Sequence, residues 1–163
     1  MSTTMPFGSL RIAKEFFDSA TRVQKPALSD AEALKQRISF PAYFLVGHSI
    51  ELSLKAFLLA RGISVSTLRK RPYAHNLESL LKEARRRRLG TMVKLLKHEV
   101  AAVGVLNDCY CAKEFEYAVT GARQLPPYAL VHAVAAKLNA GLHAYCFDLA
   151  TNAALHGATL ASP

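Results

Sequence analysis

The run FPAYFLVGHSIELSLKAFLLARG, from Phe40 to Gly62, constrains the fold of this chain more than any other feature. Apolar side chains would cover nearly every side of a helix formed by it, and such a helix lies either at the centre of a bundle or in a membrane. Ser39 can cap the helix, Pro41 suits its first turn, and Gly62 suits the left-handed residue beyond its end. The run therefore predicts a helix over residues 41–61.

Three polar residues within the run favour a bundle over a membrane. His48, Glu51 and Lys55 are three and four positions apart, so they form one stripe along the helix. Glu51 and Lys55 also have the favourable order for an ion pair one turn apart. Placing Glu or Lys at the middle of a bilayer costs roughly 2.5 to 3.5 kcal/mol each. We therefore expect the core helix of a soluble bundle, with no membrane contact. The stripe either forms a polar pocket that faces the loop over residues 69–76, or it is a buried ion pair that fixes the helix register, with His48 bonded to a backbone carbonyl.

The rest of the chain also has helical periodicity, with no strand-like alternation of any length. The pattern predicts an all-α antiparallel bundle of about five main helices in a single domain over residues 1–163, with an ordered core over about 9–155. Asn76 is placed to cap the middle helix and Gly90 to end it, while Gly104 suggests a bend. Besides the central helix, we predict helices over residues 9–22, 30–38, 77–89, 91–119 and 128–155.

Composition gives an indication of location and of partners. The first residues, MSTTMPFGSL, lack the apolar segment of a secretory signal. The chain has three cysteines, and an odd number of cysteines without an export signal indicates a reducing compartment, so we expect a cytoplasmic protein. The formal net charge is +9, which suits an anionic partner such as nucleic acid. A basic domain that is merely soluble explains the charge equally well.

The segment LRKRPYAHN, residues 68–76, is the strongest candidate for a functional loop. It places Arg69, Lys70, Arg71 and His75 immediately before a predicted helix. A helix N-terminus offers free N–H groups to an anion, and an arginine can bind a phosphate through two hydrogen bonds. A neutral histidine can move protons in phosphodiester cleavage without a metal. The loop therefore predicts a phosphate site next to a proton-transfer group.

Other polar groups give weaker indications. The basic run 85–88, which includes Arg85 and Arg86, could contact a nucleic-acid backbone, although four consecutive residues point around the whole helix. A solvated helix end explains the same run. One face of the last predicted helix holds His132, His143 and Cys146 but no carboxylate, so we predict neither a metal site nor a cofactor.

Three segments together resemble a known family. They are GHSIELSLKAFLLARG, AHNLESLLKEA and LNDCYCAKEFEYAVTGARQLPPYAL, and the resemblance spans roughly residues 40–130. They are similar to the HEPN domains, all-α bundles that are widespread in prokaryotes. The resemblance implies a homodimer that binds RNA or a nucleotide. Many members are metal-independent endoribonucleases of toxin–antitoxin or defence systems, and others bind a partner protein such as an antitoxin or a nucleotidyltransferase without cleaving anything.

The resemblance also implies roles for particular residues. Catalytic members share an arginine followed, after four to six residues, by a histidine, and Arg69 and His75 fit this spacing. Arg69 would then stabilise the scissile phosphate and His75 would act as acid or base. A structural role for His75 at the helix start stays open, as does a non-catalytic binding module. Supporting residues would be Lys70, Arg71, Asn76, Arg85 and Arg86 for nucleic-acid binding, with His48, Glu51 and Lys55 behind the catalytic pair.

Overall fold

The computed structural model describes residues 5–117 and 121–159. These residues form an all-α bundle with no strand, as predicted. Five long helices and two short ones make up the described part of the chain. In chain order they are α1 (Pro6–Val23), α2 (Asp30–Lys35), α3 (Phe40–Ala60), α4 (Val65–Leu68), α5 (Leu77–Arg86), α6 (Lys97–Cys111) and α7 (Tyr128–Thr159), with a 3-10 turn at Leu89–Thr91.

Helix α3 is the centre of the bundle. It contacts α1, α5, α6 and α7, and twelve of its residues are buried. By length and composition alone α3 could span a membrane, and 67% of its most apolar window is buried by the other helices. The predicted position of this helix in the core is therefore confirmed.

The ends of α3 follow the sequence signals. The Ser39 hydroxyl accepts a hydrogen bond from the Ala42 N–H (3.4 Å), and Pro41 lies in the first turn. Gly62 has φ +85°, the left-handed conformation that glycine adopts without a steric penalty. These ends fix which residues of α3 face α5 and α6, and hence where its polar stripe lies.

Helix α5 begins as predicted but ends earlier. The Asn76 side chain accepts the Ser79 N–H at 2.8 Å, which caps the first turn. The helix ends at Arg86, and Arg88, not Gly90, takes the left-handed conformation (φ 67°). This turn lets the next residue, Leu89, enter the core, where it is 1% exposed. Tertiary burial of one leucine thus outweighs the local preference for glycine.

Helix α6 is shorter than predicted and is not interrupted at Gly104. It starts at Lys97, where the Glu99 carboxylate accepts the Leu96 N–H at 2.8 Å, instead of at residue 91. It continues without a break through Gly104, where an added Cβ would meet nothing within 4 Å. It ends at Cys111, and residues 118–119 of the predicted helix lie outside the described residues.

The other predicted helices differ from the prediction only in length, and α4 is a single helical turn in the loop after Gly62. Helix α1 begins at Pro6, and α7 continues to Thr159. Helix α2 ends at Lys35 because Gln36 turns into extended backbone. Within the described residues α2 buries none of its own side chains, so it adds little to the core.

Candidate functional site

The centre of the candidate site is the carboxylate of Glu51, on the side of α3 that faces α5 and α6. Glu51 is 1% exposed. It accepts a hydrogen bond from Lys55 Nζ at 2.5 Å, one turn along α3, and a second from the Tyr110 hydroxyl of α6 at 2.6 Å. A buried carboxylate needs such partners, because leaving water without them is costly. Its two oxygens are therefore held at fixed positions inside the bundle.

His75 connects this buried carboxylate to the surface. Its Nδ1 atom lies 3.2 Å from Oε2 of Glu51, and its side chain is 56% exposed. His75 has φ 48°, a left-handed conformation that is uncommon outside glycine and asparagine. This backbone places the imidazole over α3, one residue before Asn76 caps α5. The polar stripe thus meets the loop over residues 69–76 at Glu51.

His48 also contacts the Tyr110 hydroxyl. Its Nδ1 atom is 3.0 Å from Tyr110 Oη and 3.7 Å from Oε2 of Glu51. Its ring packs edge-on against Phe16 and stacks on Phe44, with centroid distances of 4.5 and 5.9 Å. Two histidines, a tyrosine and a lysine thus surround one carboxylate.

The electrostatics of the cluster keep Glu51 charged. Burial acts to raise the pKa of its carboxyl, but the contacts with His48, Lys55 and Tyr110, together with the charge of Lys55, outweigh burial and leave the pKa well below its ordinary value. Burial and the Glu51 charge raise the pKa of Tyr110. Glu51 is therefore an anion and Tyr110 a neutral hydrogen-bond donor over the whole physiological range.

The three cations of the loop lie on the surface, and they precede His75 in the sequence by four to six residues. Arg69, Lys70 and Arg71 are exposed, and their side chains form no hydrogen bond or ion pair with any residue that the structure describes. Arg69 ends α4, and turns in the following residues lead to His75. Asn76 uses its side-chain oxygen as the cap of α5, so only its amide nitrogen is left for a ligand. The loop thus offers three unpaired positive charges to an anion.

Arg85 and Arg86 lie apart from the cluster. They are at the far end of α5, about 13 Å along the helix axis from its first residue. Arg86 donates two hydrogen bonds of 2.8 Å to the carboxylate of Glu83, and Arg87 donates a third of 2.6 Å. These bonds, with the arginine charges, lower the pKa of Glu83 to about 2. The structure therefore does not bring Arg85 or Arg86 to His75, and the charge of Arg86 is balanced within the protein.

The polar face of α7 does not form a metal centre. His132 Nε2 lies 2.8 Å from the Thr21 hydroxyl, and Asn139 donates to the Ser49 hydroxyl at 3.0 Å. Burial also lowers the pKa of His132. Among the described residues no three His, Cys, Asp or Glu side chains are grouped closely enough to hold a metal ion.

Tyr110 is the site residue that sequence reasoning missed. Its ring packs on Gly47, where an added Cβ would lie 2.7 Å from Cδ2 of the ring. A glycine within an otherwise apolar helix was the only signal that a large side chain approaches there. The close approach of the ring to α3 at Gly47 brings the hydroxyl to Glu51, four residues further along the helix.

Comparisons of the chain with known protein families, with curated proteins and with solved structures found no match. Its function is therefore inferred from the residues and their geometry. The geometry offers a buried anion, a half-exposed imidazole bound to that anion, and three unpaired cations in the same loop. Such groups can bind a phosphate and move a proton beside it.

Proposed function

We propose that this protein binds RNA and cleaves it without a metal ion, as HEPN-like endoribonucleases do. The observation that supports this function is the contact of 3.2 Å between His75 Nδ1 and Glu51 Oε2. A carboxylate in this position fixes the ring and stabilises the imidazolium that forms when the other ring nitrogen takes up a proton. The exposed part of the ring is then available to a substrate, because the side chain is 56% exposed.

The proposed reaction is attack of an RNA 2′-hydroxyl on the adjacent phosphate. The 2′-oxygen forms a bond to phosphorus and gives its proton to Nε2 of His75, while the bond between phosphorus and the 5′-oxygen breaks. The 5′-oxygen takes a proton from water, and the imidazolium of His75 returns its proton to solvent. The products are a 2′,3′-cyclic phosphate and a 5′-hydroxyl.

The cationic loop supplies the phosphate contacts in this proposal. Arg69 stabilises the charge that develops on the phosphate oxygens, and Lys70 and Arg71 bind the flanking backbone. The net charge of +9 favours association with RNA by the same electrostatic attraction. Binding should therefore weaken steeply as salt concentration rises.

Incubation of the full chain with RNA in the presence of EDTA tests the proposal. We expect fragments that end in 2′,3′-cyclic phosphate, and a loss of rate of about 100-fold or more in His75→Ala and in Arg69→Ala. His98→Ala is the matched control, because His98 is exposed on α6 and lies outside the cluster. Absence of cleavage, or equal rates in His75→Ala and His98→Ala, would contradict the proposal.

A second candidate function is a non-catalytic module that holds a nucleotide or a partner protein. It is favoured by the use of Glu51 within the protein, where Lys55, Tyr110 and His75 already occupy the carboxylate. A cluster of this kind can fix the packing of α3 against α6 without any reaction. In the same experiment this function predicts no fragments, together with RNA or nucleotide binding that survives His75→Ala.

A further inference from the structure

A cavity of about 660 Å³ lies between α1 and α7, apart from the Glu51 cluster. Cavities of about 300 to 1,000 Å³ are the usual size of small-molecule sites. Apolar side chains form most of its lining. They are Phe7, Leu10 and Phe17 on α1, and Ala136 and Ala140 on α7. The lining on α1 runs from Phe7 to Phe17, which is about 15 Å along the helix axis. The cavity is thus an elongated apolar slot.

The charged side chains that line this slot are both cationic. They are Arg11 and Lys14, and no Asp or Glu lines it. Lys14 is paired with Asp18 at 2.7 Å. The guanidinium of Arg11 forms no hydrogen bond or ion pair with any residue in the ranges 5–117 and 121–159. Arg11 therefore has its full hydrogen-bonding capacity available to a ligand at the edge of the slot.

We infer that this slot binds a fatty acid of medium chain length. The hydrocarbon chain lies between α1 and α7 against Phe7, Leu10 and Phe17, and the carboxylate binds Arg11. An arginine can hold a carboxylate through two parallel hydrogen bonds, which a neutral or cationic head group cannot form. Polar side chains that line the slot besides Arg11 are Lys14, Asn139 and His143. Asn139 already donates to the Ser49 hydroxyl and to the Ala135 carbonyl, and the rest of the lining is apolar, so a hydrocarbon body suits the slot. This inference does not depend on the proposed RNA cleavage.

Calorimetric titration of the full chain with laurate, below the concentration at which laurate forms micelles, tests the inference. We expect one saturable site, and affinity that falls by up to about fourfold for each methylene removed on going from laurate to decanoate and octanoate. Dodecylamine carries the same chain with the opposite charge, and we expect it to bind at least tenfold more weakly. Equal affinity for laurate and dodecylamine, or no binding of laurate, would overturn the inference.

Two variants locate the site. Arg11→Gln should weaken laurate binding about tenfold, since it removes a charged hydrogen bond. Arg22→Gln, the same change at an exposed position near the end of α1, is the matched control and should bind laurate as the original chain does. Ala140→Phe should abolish binding by filling the slot, and its position is exposed, so the bundle should still fold.

Two results with free laurate and with these variants would overturn the inference. Laurate binding that is unchanged in both Arg11→Gln and Ala140→Phe would place the ligand elsewhere and overturn the inference. Binding to phosphatidylglycerol vesicles without binding of free laurate would show a membrane-facing surface, and would overturn it as well. RNA cleavage by these variants should be unchanged, so a negative result here leaves the proposed nuclease activity unaffected.

Discussion

The Nδ1 atom of His75 lies 3.2 Å from the Oε2 atom of Glu51, although the two residues are 24 positions apart in the chain. One partner is 1% exposed and the other is a surface residue of a loop. A loop residue that is bound to the core in this way is held in one orientation. That is what a proton-transfer group requires, since small displacements from the reacting position are costly in rate.

The first prediction concerns the charge of Glu51. Glu51→Gln keeps the shape of the side chain but removes the charge that Lys55, Tyr110 and His75 bind. We expect the free energy of unfolding to fall by about 2 to 4 kcal/mol, because the buried partners lose a charged acceptor. Urea denaturation of the variant measures this change.

The control for this measurement is Glu15→Gln. Glu15 is exposed on α1, so the same chemical change should alter the free energy of unfolding by no more than about 0.5 kcal/mol. A loss of similar size in both variants would mean that the Glu51 cluster contributes nothing specific to stability.

The second prediction is a loss of stability in acid. Ion pairing lowers the pKa of Glu83 from 4.5 to about 2, and the pKa values of Glu51 and Glu99 are lowered as well. A lowered pKa stabilises the folded state above the pKa of the unfolded chain, and this contribution is lost as pH falls through the folded value. The urea midpoint should therefore be nearly constant from pH 7 to about 5 and then fall towards pH 2.

Glu83→Gln provides the comparison for the acid titration. It removes one of the groups whose protonation causes the loss, so its urea midpoint should be lower at pH 7 and should fall less between pH 5 and pH 2. A curve parallel to that of the original chain over this interval would rule out Glu83 as a contributor.

Much of the fold could be predicted from local sequence patterns. The apolar run around α3 and the caps at Ser39 and Asn76 act within a few residues, so they can be read from the sequence. The polar stripe also follows from spacing along one helix. The end of α5 could not be predicted, because Arg88 takes the left-handed conformation to bury Leu89, and that burial depends on the assembled core.

The candidate site could be predicted only in part for the same reason. Glu51 stands out as a charged residue in an apolar helix, and His75 lies in the basic loop that follows this helix. Both could therefore be identified as candidate site residues from the sequence. The contact of Tyr110 with Glu51 joins residues 59 positions apart and depends on how α6 packs against Gly47. No pattern within α6 distinguishes a tyrosine that packs from one that also donates a hydrogen bond.

The third prediction concerns the packing of Tyr110 on Gly47. In Gly47→Ala the new Cβ would lie 2.7 Å from Cδ2 and 2.8 Å from Cε2 of the ring, so the ring must move. We expect a loss of about 1 to 3 kcal/mol in the free energy of unfolding. If the Tyr110 hydroxyl orients Glu51, RNA cleavage should also fall. Thermal denaturation and the cleavage assay measure the two effects.

Gly104→Ala is the matched control for this substitution. Gly104 lies inside α6 with nothing within 4 Å of the position of a new Cβ, so alanine should stabilise the protein by about 0.5 to 1 kcal/mol through its better helix propensity. A similar loss of stability in both variants would show that close approach of Tyr110 is not what requires glycine at position 47.

The fourth prediction separates a structural from a catalytic role of His75. Its φ of 48° is strained for a histidine, and glycine adopts it freely. In His75→Gly the relief of backbone strain should offset the loss of the contact with Glu51, so we expect the free energy of unfolding to change by less than about 1 kcal/mol. RNA cleavage should nevertheless be lost, because the imidazole is gone. If His75 acts only to hold the loop against α3, His75→Gly should instead lower the free energy of unfolding by well over about 1 kcal/mol. Nucleotide binding and cleavage per folded molecule should then be unchanged. Circular dichroism and the cleavage assay on one preparation measure the folded fraction and the activity.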